Sequence, residues 1–318
     1  MDNFTHSLAG WALGQSGLKT KSRKGLAALI LGANMPDIDV FFGWVGWPPL
    51  AMHRGFTHGL VGGVVLMPPM LAGLLLLLDR WQVRRGTTFK SGLAMHPGWL
   101  LALAYLGTLT HPLLDLQTTY AVQLLAPFSR AWYHTDSLFI IDVWLWTLIA
   151  GTIAWSRWRE KKGLAYQRPV QAAIAASIAY ICFNIGLSQT ATESVALNRP
   201  AATDIFASPP PVLFWKRSMA WRERRSIGRA EFEPFGRRLS QIQPLKPDGM
   251  DDPVVRHLLA TRPALRRFLG WSILPIATVE RSNCKATVSI GDARYLEGKS
   301  RRSRLERQIV TNLPGPGC

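Results

Sequence analysis

The sequence predicts an all-α, multi-span membrane helix bundle followed by a small soluble α+β domain that is mostly β. Three observations lead to this prediction. Charged residues are distributed unequally along the chain, four apolar stretches of the first part are long enough to cross a bilayer, and short strand-like stretches follow a proline-rich segment.

The charge distribution divides the chain near residue 198. Residues 1–198 contain nine of the twenty acidic residues and fifteen of the thirty-seven Lys and Arg residues, whereas residues 199–318 contain the other eleven and twenty-two. The second part therefore carries +11 of the formal net charge of +17. We predict a membrane domain over residues 1–198, a Pro-rich linker over 199–212 and a basic soluble domain over 213–318.

The apolar stretches of the first part predict how often it crosses the membrane. A helix of about 20 apolar residues spans the hydrocarbon core, and four stretches have about this length. Two shorter ones precede them and are expected to form a helical hairpin that enters the bilayer partway. The four predicted spans are residues 59–78, 97–114, 137–156 and 170–190, and the two shorter stretches are residues 4–18 and 25–35.

Basic clusters orient these spans. Residues 19–24, 80–90 and 157–168 are rich in Lys and Arg, and short loops of this kind stay on the cytoplasmic side. Most histidines and aspartates of the membrane part lie thirteen to twenty-two residues from these clusters, which is roughly 20 to 30 Å along a helix. We therefore expect them to converge on the outer side of the bundle, where the soluble domain is also expected.

In the soluble part, residues 212–221, 274–281, 286–290 and 305–313 have strand-like composition, and helices are predicted near 253–260 and 263–269.

The segment 109–120, LTHPLLDLQTTY, is the strongest candidate for a site. On a helix His111 and Asp115 leave from one face, so both can bind one metal ion. Pro112 cannot donate a backbone hydrogen bond, so the helix is expected to kink or to restart there. Thr118 follows as a supporting residue. A helix-end histidine and a capping aspartate are the structural alternative, and both interpretations remain open.

Two further segments contribute candidates. Asp37 and Asp39 are separated by one residue next to the membrane, where carboxylates are costly unless they are paired or metal-bound; ordinary turn formation is the alternative. His53 and His58 bracket a glycine-containing turn that can bring either imidazole to a metal. Between them, Arg54 is available to a phosphate or a carboxylate.

Other polar residues of the membrane part have plausible structural roles. His6, considered alone, is interpreted as a polar residue at the membrane interface. Asp136 is expected either to cap the helix of the third span or to join the site, and neighbouring His134 is expected in an exposed loop. Asp142 is placed inside that span, where an unpaired carboxylate is expensive.

Taken together, these motifs resemble a known family. They are Thr5-His6, PDID (36–39), HRGFTHGL (53–60), THPLLDLQTTY (110–120) and LFIIDVW (138–144). In order and spacing they are similar to the bacterial inner-membrane-associated, metal-dependent hydrolase family of the YdjM type, whose label includes LexA binding. The resemblance implies a multi-pass protein of the inner (cytoplasmic) membrane, a hydrolase activity and, by that label, a regulatory protein partner. Ala121 stands where a glycine is expected, and no proposed ligand is affected.

Beside this resemblance, the residue types support metal chemistry. Imidazoles and carboxylates without a thiolate suit Zn²⁺ first, and also Mn²⁺ or Fe²⁺. The candidates outnumber the ligands of one tetrahedral zinc, so one or two ions are expected, and two can hold both the attacking and the leaving oxygen of a phosphoester displacement. The predicted ligands are His6, Asp37, Asp39, His58, His111 and Asp115.

The remaining candidates are given supporting roles. Asp39 is either a bridging ligand or the base that takes a proton from the attacking water, and Arg54 neutralises an anionic group of the substrate. His53, predicted with Asp39 and Arg54 to be catalytic, is a ligand or a neighbour of one. The residues predicted to support the ligands are Thr57, Thr118, Asp136 and Asp142, the last by orienting a histidine.

Three classes of function follow. The first is a hydrolase acting on a phosphoester or other lipid-linked bond at the outer side of the membrane. Its H-x-x-x-D spacing is similar to that of zinc-dependent phospholipase C and nuclease enzymes. The second is a metal-ion or proton transporter, and the third is a regulatory scaffold. The bilayer is the expected partner. Nucleic acid is not, because the arginines of the soluble part form no recognition motif.

Overall fold

The computed structural model describes residues 1–43, 53–282, 284–295 and 306–312. The chain forms two compact units. The first comprises Met1–Gly186 and Pro209–Phe214, and the second comprises Leu187–Ser208 and Trp215–Cys318.

Helices build the first unit. They are α1 (Asn3–Gln15), α2 (Gly25–Asn34), α3 (Met67–Arg84), α4 (Pro97–Asp115), α5 (Val143–Lys161) and α6 (Gln167–Asn198), the last of which continues into the second unit. Short 3₁₀-helices at Leu18–Thr20, Met35–Phe42 and Phe56–His58 and a π-helix at Leu60–Leu66 join them. This helical unit, with the mostly β unit described below, confirms the predicted fold class.

Three helical stretches of the described residues are long and apolar enough to cross a membrane: Gly25–Phe42, Leu60–Arg84 and Gln167–Asn198. The first joins α2 to the 3₁₀-helix after it, so it is longer than the partial span that we predicted. The predicted spans 97–114 and 137–156 each form a 19-residue helix but are not among the three. Polar residues such as His111 and Asp115 lower the mean hydropathy of α4, and α5 ends in a turn of charged residues.

Close packing of three helices positions the candidate site. Helix α2 lies between α1 and α4, and a Cβ atom at Gly10 of α1 or at Gly107 of α4 would come within 2.5 Å of the carbonyl oxygen of Leu29. Only glycine permits both approaches, as at other small-residue interfaces between membrane helices. The elements that carry His6, Asp37 and His111 are therefore held close together.

Helix α5 begins differently from the prediction. Its N-cap is Asp142 rather than Asp136, and the Asp142 carboxylate accepts hydrogen bonds from the backbone N–H groups of Trp144 and Leu145. The hydroxyl of Tyr180 on α6 donates to the same carboxylate at 3.0 Å. Asp142 is thus not an unpaired acid inside a span, because the helix terminus and a phenol satisfy it.

The three basic clusters meet at one end of the first unit. Lys19 lies 2.5 Å from the Glu160 carboxylate, which joins the first cluster to the third. Lys24 donates to Gln82, and the Arg23 guanidinium lies 4.4 Å from the centre of the Phe89 ring, which joins the first cluster to the second. Such contacts agree with the expectation that all three clusters share one side of the membrane.

Antiparallel sheets build most of the second unit. Strands β1–β5 form one sheet and β6–β8 the other. The strands are β1 (Ala202–Ser208), β2 (Arg217–Glu223), β3 (Ser226–Glu233), β4 (Arg238–Ser240), β5 (Lys246–Pro247), β6 (Pro275–Ser282), β7 (Lys285–Asp292) and β8 (Glu306–Asn312). Two helices, α7 (Pro253–Thr261) and α8 (Pro263–Leu269), accompany them, near their predicted positions.

The segment interpreted as a Pro-rich linker contains strand β1. This strand pairs with β2, and its Phe206 is buried in the core of the unit. The three prolines at 209–211 follow the strand and end its pairing with β2, because proline has no N–H group to donate. The predicted strand 212–221 begins later, at Arg217.

A buried ion pair lies at the end of β7, in the second sheet. The Arg294 guanidinium donates to both oxygens of Asp292 at 2.8 and 2.9 Å. Burial alone would raise the pKa of Asp292, but the bond to Arg294 holds that pKa below its ordinary value. Elsewhere, Cys182 on α6 is a free, exposed thiol, Cys284 is disulfide-bonded, and Cys318 lies outside the described residues.

A larger residue at Gly107 is expected to separate α4 from α2. Gly107→Val should destabilise the protein by about 1–3 kcal/mol, the usual cost of overpacking a tight interface. The thermal unfolding midpoint of the detergent-purified chain measures this. Gly73→Val is the matched control, because a Cβ atom at Gly73 on α3 meets nothing within 4 Å. Equal midpoints for the two variants would contradict the close-packing argument.

Candidate metal centre

Four buried side chains converge beside the helix packing described above. Asp37, His58, His111 and Asp115 each offer one ligand atom, and these atoms all lie within 4.8 Å of one another. We call these residues the tetrad. They come from the 3₁₀-helix after α2, from the 3₁₀-helix before the π-helix and from the end of α4, so the fold brings together residues that are far apart in the sequence.

The distances within the tetrad match a small cation site. The Nε2 atoms of His58 and His111 are 3.1 Å apart. They lie 3.4 and 3.2 Å from Asp37 Oδ1, and 3.4 and 3.6 Å from Asp115 Oδ2. Ligand atoms bound at 2.0–2.1 Å to a tetrahedral zinc are roughly 3.3 Å apart. The tetrad therefore has the dimensions of a tetrahedral zinc site.

Helix α4 presents His111 and Asp115 from one face, as the i, i+4 spacing predicts. The helix runs through Pro112 without restarting. Nδ1 of His111 lies 2.6 Å from the carbonyl oxygen of Ala33, at the end of α2. Because a carbonyl only accepts, the N–H group is at Nδ1, and the lone pair of Nε2 points into the tetrad.

His58 is held in the same tautomer from its other side. The hydroxyl of Thr57 donates to Asp39 at 2.7 Å, and Nδ1 of His58 lies 3.0 Å from that hydroxyl oxygen and 3.4 Å from Asp39 Oδ2. Nδ1 is therefore the protonated nitrogen of His58. With neutral rings, both Nε2 atoms of the tetrad then carry lone pairs that face each other, and a metal cation or a shared proton between them removes the repulsion.

A second group of possible ligands adjoins the tetrad. Asp39, His53 and His58 offer atoms within 4.8 Å of one another, and we call them the entrance group because the His53 side chain is 49% exposed. Asp39 is buried and accepts hydrogen bonds from His53 Nδ1 at 2.8 Å and from the backbone N–H of Arg54 at 3.2 Å, besides that from Thr57. Asp39 thus anchors the whole turn between His53 and His58.

His6 lies beside the tetrad rather than in it. It is fully buried, and its ring stacks on that of His111 at 3.7 Å between centres. Its Nε2 lies 3.5 Å from Asp115 Oδ1, which the amino group of Met1 also contacts. Within the described residues, neither ring nitrogen of His6 has a hydrogen-bond partner. This leaves His6 the member of the cluster with the most unused binding capacity.

The sequence predicted that the Arg54 side chain faces the substrate, but the structure places it against Asp115 and Thr118. Its side chain is buried, with Nη2 3.1 Å from Asp115 Oδ1 and Nη1 donating to Thr118 Oγ1 at 2.9 Å. The Thr118 hydroxyl in turn donates to the carbonyl oxygen of Asp115. Arg54 therefore compensates one oxygen of Asp115 and leaves Oδ2 to the tetrad. Thr57 and Thr118 lie in contact with the cluster, as expected of supporting residues.

Two predicted supporting residues lie outside this cluster. Asp136 accepts a hydrogen bond from His134 at 2.9 Å, in a loop where it has a φ of 52°. Among the described residues Asp142 is bonded to Trp144, Leu145 and Tyr180 and to no histidine, so the prediction that it orients one is wrong. The sequence, conversely, carries no side-chain signal for the anchor of His111, which is the main-chain carbonyl of Ala33.

Comparison with known protein families identifies the family of the chain. Residues 1–191 match the family model described as YdjM inner membrane protein. The chain belongs to the YdjM inner membrane protein family. The matched part covers more than half of the chain and includes the whole tetrad, so this YdjM-family chain is a membrane protein and the lipid bilayer is its partner. No curated protein and no solved structure matches the chain.

Removing the charge of Arg54 is expected to destabilise the cluster. Arg54→Met keeps the bulk of the side chain but leaves Asp115 Oδ1 without its guanidinium, and breaking a buried pair in this way costs about 3 kcal/mol. The thermal unfolding midpoint should fall accordingly. Arg130→Met is the control, because Arg130 is exposed. An unchanged midpoint in Arg54→Met would show that this ion pair does not hold the cluster together.

Proposed function

We propose that this protein is a membrane-bound hydrolase that uses one or two divalent cations, zinc being the first candidate, to cleave a phosphoester or other lipid-linked bond. The tetrad carries this proposal, because two imidazole and two carboxylate ligands are buried at the separations of a tetrahedral site. When bound, such a cation polarises the ester oxygen and makes water a nucleophile at neutral pH.

The ligands are assigned from their contacts. Asp37 Oδ1, His58 Nε2, His111 Nε2 and Asp115 Oδ2 would hold one ion. A second ion would lie at Asp39, beside the tetrad; His58 would not bind it, because its Nδ1 carries the N–H group and its Nε2 faces the tetrad. Nitrogen and oxygen donors without sulfur also suit Mn²⁺ or Fe²⁺.

His53 is the group best placed to move protons. Its Nδ1–H donates to Asp39 Oδ1 at 2.8 Å, so its Nε2 is free to accept or donate a proton at the exposed side of the site. That Nε2 lies 4.0 Å from Asp37 Oδ1, next to the tetrad. We assign His53 Nε2 the proton transfer between the attacking water and the leaving oxygen. Asp39, already engaged by several donors, orients the two histidines.

The surroundings of the entrance group favour an amphiphilic substrate. The 3₁₀-helix that buries Asp37 and Asp39 exposes Ile38, Val40 and Phe41 on its other side, with exposed fractions of 36, 57 and 70%. An apolar rim beside buried polar ligands suits a molecule whose phosphate is attached to an apolar tail. A lipid-linked phosphoester has this property, and a free sugar phosphate does not.

We further propose that the site faces the outer side of the inner membrane and that the second unit is periplasmic. The basic clusters, which favour the cytoplasmic side, meet near the end of α1, whereas His6 lies near its start. A regulatory protein partner stays a prediction of the family label.

Metal content is the first test. The purified full-length protein should retain divalent metal, measured by inductively coupled plasma mass spectrometry, and His111→Ala and Asp115→Ala should each lose it while remaining in the membrane fraction. His134→Ala is the matched control, because it also removes a histidine hydrogen-bonded to an aspartate. Metal content unaffected in both tetrad variants would overturn the proposed site.

Turnover is tested on the same proteins. A panel of lipid phosphoesters in mixed micelles should include at least one that the wild type cleaves, with a loss of at least about 100-fold in His111→Ala and little change in His134→Ala. Metal bound by the wild type without cleavage of any phosphoester, together with metal flux into proteoliposomes, would instead favour a transporter.

Sidedness is tested with single cysteines in a Cys182→Ala background, which removes the free exposed thiol. Thr88→Cys lies in a basic cluster and Gln243→Cys in the second unit, and both positions are exposed. A membrane-impermeant maleimide added to spheroplasts should label Gln243→Cys and spare Thr88→Cys until the membrane is opened. Labelling of both positions from the same side would refute the proposed orientation.

A further inference from the structure

A groove on the first unit lies away from the tetrad, between α1 and α5. It has a volume of about 450 Å³. Leu8 and Trp11 of α1 and Ala150, Ile153 and Ala154 of α5 line its apolar part. Leu8 of α1 and Ile153 of α5 also belong to one buried hydrophobic cluster, which forms the inner wall of the groove.

One end of the groove is basic. Arg157, Trp158 and Lys161 line it there, in the last turns of α5. From Ala150 to Lys161 the helix rises about 16 Å at 1.5 Å per residue. This is about half of the 30 Å hydrocarbon core, so the groove has the depth of one leaflet. Its basic end carries a tryptophan, as membrane interfaces commonly do.

The two cations of this end are available to a ligand. Among the described residues neither Arg157 nor Lys161 forms an ion pair. The neighbouring acid, Glu160, is bound by Lys19 at 2.5 Å and by Gln15 at 2.9 Å, so its charge is already compensated. A second positive charge four residues along the same helix lies on the same face, and the pair can approach one phosphate.

The Trp11 ring connects the apolar part of the groove to its basic end. The Arg157 guanidinium lies 5.4 Å from the centre of the Trp11 ring. The guanidinium therefore lies over an aromatic ring that lines the groove, where it can bind an anion next to the apolar part.

We propose that this groove binds one anionic phospholipid. Its acyl chain lies along Leu8, Ala150 and Ala154, and its phosphate contacts Arg157 and Lys161. The bilayer, in which this family resides, supplies such lipids at the required depth and orientation. An apolar groove with two cations at its end, neither of them in an ion pair among the described residues, is complementary to an amphiphile with a negatively charged head. The site is separate from the tetrad and does not depend on the proposed hydrolase function.

Binding is measured by native mass spectrometry of the full chain in detergent, titrated with dioleoyl phosphatidylglycerol or dioleoyl phosphatidylcholine. The wild type should bind one phosphatidylglycerol in preference to phosphatidylcholine. Arg157→Gln/Lys161→Gln should weaken phosphatidylglycerol binding about tenfold and remove the preference. The control is Arg84→Gln/Lys162→Gln, which removes the same charge from exposed positions outside the groove.

A second pair of variants tests the apolar part without changing charge. Ala154→Leu should fill the groove and weaken binding of both lipids. Gly151→Leu, on the same helix where a Cβ atom meets nothing within 4 Å, should not. Unfolding midpoints equal to that of the wild type establish that each variant is folded. Equal binding of the two lipids by the wild type, or equal losses in the groove and control variants, would overturn the proposal.

Discussion

Compensation of buried carboxylates is the constraint on which the first unit depends. A carboxylate removed from water costs several kcal/mol unless donors or cations surround it. Asp79 is paired with Arg23 by two bonds of 2.7 Å, Asp142 caps α5, and Asp39 accepts from several donors. Among the described residues, Asp37 and one oxygen of Asp115 are the exceptions, because the groups that face them are imidazoles. The carboxylate oxygens of these residues that are still available to a cation are therefore concentrated in the tetrad.

The helices keep this polar cluster separate from the basic end. Glycines on α1 and α4 let both helices approach the backbone of α2, and this contact fixes the cluster at one end of all three. At the other end Lys19 and Arg23 bind acids of α5 and α3. Two ion pairs at one end and a cluster of possible metal ligands at the other give the bundle a polarity that a uniformly apolar bundle would lack.

Much of the helical unit and part of the tetrad could be predicted from the sequence, because they follow from local periodicity and composition. The apolar stretches and basic clusters predict the helical unit, and the i, i+4 spacing places His111 and Asp115 on one face. Tertiary contacts account for the rest. The contact of Ala33 with His111 uses a main-chain oxygen, and the Arg54 pairing depends on a fold that no local pattern encodes. Asp142 was misplaced because a boundary shift of a few residues turns a buried acid into a cap. Strand β1 was missed because prolines follow it closely.

The π-helix at Leu60–Leu66 separates the position of His58 from the helical register of α3. It begins two residues after His58 and leads into the membrane-length helix α3. A π turn accommodates one residue more than an α turn over the same length. The extra residue can be absorbed here while His58 keeps its place and α3 keeps its lipid-facing side. Removal of one residue from this part of the chain is therefore best accommodated within these seven residues.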